Sequence, residues 1–234
     1  MERSDRRKRW LLGGILVLCA GFGMVVALRW ALLTPPVFYQ RADQAVRASA
    51  DRPDRAEAFM QKAVRLANDV QHQPHWSIQF TETEINSWLA EELPRQYSEL
   101  LPSNVSEPRV ALDDGTLHIG VRLEDSPGRE VLSLSVRPQV LTDHRLALQI
   151  ESVQVGRLPI PLDRVLEDMR RSGITERWRV SWYVQDGRDV AVINLSELVA
   201  PSITLDAIEI KNDRLTITGT GKASRTSRKP NSSQ

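Results

Sequence analysis

Only one cysteine occurs in the 234-residue chain, so an intrachain disulfide and any cysteine-based metal site are excluded. Histidine is scarce as well. Of the four, only His72 and His75 lie close together, in a proline-containing loop with no carboxylate at zinc-like spacing. No sign of charge dominates: 31 basic against 30 acidic residues leave a formal charge of +1, which creates no global field to draw in nucleic acid. There is no GxSxG elbow, no phosphate-binding glycine loop and no Cys-His pair, so no catalytic residue, cofactor or metal is assigned. The carboxylate pairs have plain explanations. Glu82 and Glu84 suit a helix start, Glu91 and Glu92 the solvent side or edge of that helix, and Asp113 and Asp114 a turn. The expectation is a protein that is not an enzyme.

What the chain does have is a long apolar run near its start. From Trp10 to Leu28 there are 19 residues without a charge, and after Arg29 the apolar character continues through Trp30 to Leu33. As a helix rising 1.5 Å per residue, such a run covers roughly 30 Å, the thickness of a bilayer's hydrocarbon core. Trp10 and Trp30 fall at the two head-group levels. Arg3, Arg6, Arg7, Lys8 and Arg9 precede the run, whereas Thr34, Pro35 and Pro36 follow it, so the N-terminus is expected inside and the remainder outside the cytoplasmic membrane. A cleaved signal peptide competes through Gly21 and Gly23, but the apolar run exceeds the usual signal core. The reading is residues 1–9 as a basic cytoplasmic tail and 10–33 as a single-pass signal-anchor helix.

Residues 37–71 have a helical period broken at Asp51 and Pro53, which predicts two helices serving as a stalk or as packing helices. In the second, Ala56, Phe59, Met60, Ala63, Leu66, Ala67 and Val70 form one apolar face. Ile78 and Phe80 then alternate, and Thr81 and Glu84 have the spacing of a reciprocal capping box. The helix predicted from there has Ile85, Trp88, Leu89 and Leu93 on its inner stripe and ends at Pro94.

Beyond this point the period becomes two, the mark of strands with one buried face. Leu117, Ile119, Val121 and Leu123 alternate with His118, Gly120 and Arg122, then come Leu132, Leu134 and Val136, then Leu146, Leu148 and Ile150. The phase slips between Ile150 and Val153, which predicts a bulge near Glu151 and Ser152. An extended corner follows at 157–161 and a short helix from Asp163 carrying Val165, Leu166 and Met169. Trp178, Val180, Trp182 and Val184 resume the alternation, and turns at Asp186-Gly187 and Asn212-Asp213 join the last strands. Residues 77–221 thus read as an α+β domain with a long, curved, mostly antiparallel sheet packed on one or two helices. Residues 222–234 read as a disordered basic tail. Arg170, Arg171, Arg177 and Arg179 surround Trp178 and Trp182, a mixture that suits a solvated rim or lipid phosphates better than nucleic acid.

The run Ile150-Glu151-Ser152-Val153-Gln154-Val155-Gly156-Arg157-Leu158-Pro159-Ile160-Pro161-Leu162, followed by Val165 and Leu166, resembles the second half of the YpmS-like family of membrane-anchored extracytoplasmic proteins. Thr81 to Leu89 is similar to that family's first helix, so the resemblance frames residues 77–166. It implies an N-terminal anchor, an extracytoplasmic α+β domain and no established catalytic residues. More distantly, the chain resembles tubular lipid-binding (TULIP-type) envelope proteins, in which a curved sheet wraps an apolar groove. The residues that would wall such a groove are Ile85, Trp88, Leu89, Leu117, Ile119, Val121, Leu146, Leu148, Ile150, Trp178 and Trp182. A closed core is the competing reading of the same residues. The functional expectation is binding or transport of a lipid or other apolar envelope molecule. The alternative is a non-catalytic scaffold or regulatory partner of envelope protein complexes.

Overall fold

A computed structural model describes residues 22–126, 128–141, 144–164, 167, 180–185, 187–195 and 203–221. The fold is α+β. Helix α1 covers Phe22–Leu33, α2 Val37–Ala48, α3 Arg52–His72 and α4 Glu82–Gln96, with a 3₁₀ turn at Ser98–Leu100. The strands are β1 His75–Thr81, β2 Val105–Asp113, β3 Thr116–Leu123, β4 Val131–Leu141, β5 Arg145–Val155, β6 Leu158–Pro159, β7 Val180–Gln185, β8 Arg188–Asn194, β9 Thr204–Lys211 and β10 Arg214–Thr220. They form a seven-stranded antiparallel sheet in the order β2-β3-β4-β5-β8-β7, with β6 paired to β5, and a three-stranded sheet in the order β1-β10-β9.

The helical region divides where the prolines demand it. Pro35 and Pro36 separate α1 from α2, and α3 starts with Pro53 in its first turn, where the missing N–H costs nothing. Among the described residues no single helix is long and apolar enough to cross a membrane. Helices α1 and α2 meet that requirement only together, and they are bent by 45° at the break between them. Residues 10–21 of the expected anchor lie outside the described residues, as do 165, 166, 169, Trp178, the arginines around it and the tail from 222 onward.

Helix α4 opens with the expected capping box: Thr81 Oγ1 accepts from Glu84 N at 3.2 Å, and Thr81 N donates to Glu84 Oε2 at 3.0 Å. Two expectations about this helix are corrected. It runs through Pro94 to Gln96, because a proline removes only its own N–H, and Tyr97 N still reaches Leu93 O at 3.1 Å. Glu91 is buried rather than solvent-facing, since it bonds Arg52 Nε and lies 3.0 Å from Arg95 Nη2. Two guanidinium partners offset the desolvation of that carboxylate.

The small sheet buries Trp76, Ile78 and Phe80 against α3 and α4, with Phe59 and Phe80 ring centroids 4.8 Å apart. Its β9–β10 hairpin turns at Asn212 and Asp213, both at positive φ (53° and 56°), as a tight hairpin turn requires. In the large sheet the predicted bulge is present. Ser135 pairs with Ser152 and Val136 with Ile150, leaving Glu151 as the extra residue. Absorbing one residue there keeps Ile150 and Val153 on the same face of a strand eleven residues long.

Candidate ligand face

Directly paired residues of antiparallel strands project to the same side, so the register fixes which apolar side chains share a surface. Three rows cross β3, β4 and β5: Leu117–Val136–Ile150, Ile119–Leu134–Val153 and Val121–Leu132–Val155. Two more cross β4, β5, β8 and β7: Pro138–Leu148–Ala191–Trp182 and Val140–Leu146–Ile193–Val180. Leu117, Ile119, Val121, Leu146, Leu148, Ile150 and Trp182 are thereby brought onto one continuous apolar face. All seven are half-buried, as are Leu132 and Leu134, while Val136 and Val153 are buried.

The helical candidates are placed elsewhere. Helix α4 lies along the β2 edge. Asn86 accepts from Val110 N and donates to Val110 O, both at 2.8 Å, and Glu82 Oε2 accepts from Leu112 N at 2.9 Å. These side chains satisfy edge groups that would otherwise recruit another strand. Trp88 turns into the helical layer, its ring 5.2 Å from Phe59 and its Nε1 3.1 Å from Met60 Sδ. Ile85 and Leu89 are half-buried on the same helix. Trp178 is outside the described residues.

The opposite face of the large sheet is covered as well. His118, Gly120 and Arg122 alternate with the apolar residues of β3, and α2 lies on them. Phe38 stacks on His118 with centroids 5.2 Å apart, Arg122 covers the Tyr39 ring, and a Cβ at Gly120 would meet Tyr39 Cδ2 at 2.6 Å. Tyr39 is 1% exposed and donates through Oη to Glu107 O at 2.7 Å; burial raises its phenol above the usual 10.0, an effect the nearby Arg122 charge partly offsets. Arg109, Ala111, Val131 and Ser133 on this face are all buried.

The charges under α2 are paired. Arg109, 5% exposed, donates to Asp43 Oδ1 at 3.0 Å, Asp43 also accepts from Arg47 at 2.8 Å, and Glu107 accepts from Arg122 at 2.6 Å. Burial pushes the Asp43 carboxyl up, but the Arg47 hydrogen bond and the Arg109 charge outweigh it and hold the group below its usual 3.8. Glu82 goes the other way, because burial outweighs the Leu112 N–H and raises it above 4.5. Sequence reading missed Asp43, Arg109 and Tyr39. Two signals pointed to them: Tyr39, Ala42 and Val46 at helical spacing, and a glycine inside a strand, which marks close approach.

A cleft of about 40 Å³ between α2 and α4, bordered by Ala42, Val46, Glu82 and Asn86, has room for water and not for an acyl chain. Among the described residues no group of three or more His, Cys, Asp or Glu side chains could hold a metal ion. No protein-family model, curated protein or solved structure matches this chain.

Proposed function

We propose that this chain is a membrane-anchored envelope protein whose domain outside the cytoplasmic membrane uses the apolar face of its large sheet to bind, and help transport, a lipid or another apolar envelope molecule. The observation that carries this reading is that Leu117, Ile119, Val121, Leu146, Leu148 and Ile150 keep partial solvent contact on one apolar face, around a buried centre of Val110, Leu112, Val136 and Val153. Large contiguous apolar surface in contact with solvent marks a binding site. The anchor is supported by α1, whose Phe22, Met24, Val25, Val26, Leu28 and Trp30 are 50–73% exposed and continue the apolar run that starts at Trp10.

Residues 36–222, expressed without the anchor and checked for fold by circular dichroism, are expected to carry lipid detectable by mass analysis after solvent extraction. Leu148→Asp places a charge in the middle of the face and is expected to abolish that lipid while the fragment remains folded. A folded wild-type fragment with no lipid removes the proposal. The scaffold reading is favoured in that event by β7, where Tyr183 and Val184 are 58% and 74% exposed on the last strand of the sheet, a position suited to strand addition by a partner.

A further inference from the structure

Helix α1 changes character abruptly at Trp30. Before it every residue from Phe22 is exposed, and after it the helix is built into the domain. Arg157 N donates to Ala31 O at 2.9 Å, and the Arg157 guanidinium sits 5.6 Å from the Trp30 ring centroid. Gly156, at φ +60°, packs so closely that a Cβ would strike the Ala31 and Leu32 carbonyls, and Gly128 leaves the same kind of space for Leu33. No slack linker separates the apolar helix from the sheet.

These contacts fix which end of the ligand face lies near the helix. The β3–β4 loop closes on this corner through Leu123 N→Glu130 O at 2.8 Å, and Gly156 N donates to Val131 O at 2.8 Å. The row Val121–Leu132–Val155 is therefore adjacent to α1. The β4–β5 hairpin tip is remote: β4 is eleven residues long, so Leu141 lies ~33 Å along the strand from Val131 at ~3.3 Å per residue.

We infer that the β3–β4 loop and the Gly156–Arg157 turn form the domain's bilayer-facing surface, with Arg29 and Arg157 meeting phosphates of anionic phospholipids, and that an acyl chain enters the sheet face at Val121, Leu132 and Val155. This rests on the anchor reading above. The partner is a bilayer because the chain preceding α1 is itself a charge-free run back to Trp10, and Trp30, beside Arg29 in sequence and Arg157 in space, is what a helix carries at the head-group level.

The test uses the full chain with Cys19→Ser and one new cysteine, Asp125→Cys in the β3–β4 loop or Leu141→Cys at the hairpin tip, each bearing an environment-sensitive fluorophore. The proteins are placed in nanodiscs of phosphatidylcholine and phosphatidylglycerol, with or without nitroxide-labelled head groups. Quenching is expected to be several-fold stronger at position 125 than at 141. Adding Gly156→Val, which wedges α1 off the turn, is expected to bring the signal at 125 down to that at 141 while the protein stays with the discs. Equal quenching at both positions in disc-bound protein, or no effect of the Gly156 change, overturns the inference and leaves the anchor standing. A chain that does not travel with the discs overturns the anchor itself.

Discussion

The two faces of the large sheet are both buried in part, but through different chemistry. The face with His118, Gly120, Arg122, Arg109 and Ser133 is capped by α2, and Arg109, Gly120 and Ser133 on it are buried. On the other face Val110, Leu112, Val136 and Val153 are buried, while Leu117, Ile119, Leu132, Leu146 and Leu148 keep partial solvent contact. Burying the first required hydrogen-bonded ion pairs for Asp43 and Arg109 and a glycine for Tyr39 to rest on, all of it costly to arrange. In the proposed function, the partly accessible residues of the apolar face are the ones a guest would cover.

The sharpest way to break this comparison is Gly120→Val. The new side chain collides with Tyr39 at the most tightly packed point under α2, and overpacking of that kind costs about 3 kcal/mol, read as a lower denaturation midpoint. A matched pair sharpens it. Val131 is 0% exposed on the α2 face and Val121 is half-buried on the apolar face. At ~0.8 kcal/mol per buried methylene plus a cavity term, Val131→Ala is expected to cost about 2 kcal/mol and Val121→Ala less than about 1. Equal losses would mean that both faces are equally closed.

The smallest effect concerns Glu82, at the strand edge where the two faces meet. Its carboxyl is raised by burial, so its contribution to stability is complete below 4.5 and is lost as pH climbs through the raised value in the folded state. Glu82→Gln, which still accepts from Leu112 N, is expected to flatten the melting-temperature profile over that rise and to match or exceed the wild type at pH 7. Asp43 and Glu84 have the opposite sign, because Arg47 and Lys62 hold them below their usual values despite burial, and they account for stability lost toward acid.

Much of the framework was legible from local chemistry. The capping box at Thr81, the break at Pro53 and the turns at Asp114-Gly115 and Asn212-Asp213 each follow from residues whose backbone or side chain favours that geometry, and the bulge at Glu151 follows from the slip in apolar phase between Ile150 and Val153. Most of the candidate ligand face was legible too, since a period of two assigns alternate residues to one side without reference to the rest of the molecule. Trp88 was not. A helical stripe says that a residue is covered and leaves open by what, and here Met60 and Phe59 of α3 cover a residue expected to wall a groove.

The chain by itself determined where strands and helices begin, which side of each strand is apolar, and that a long apolar run precedes the domain, because all three depend on short-range periodicity. Only the tertiary structure decided that α2 covers the polar side, that Glu91 and Arg109 are buried, and that α1 is clamped at Gly156. Those outcomes depend on which surfaces meet across tens of residues, where close approach and charge pairing outweigh the preference of any single side chain.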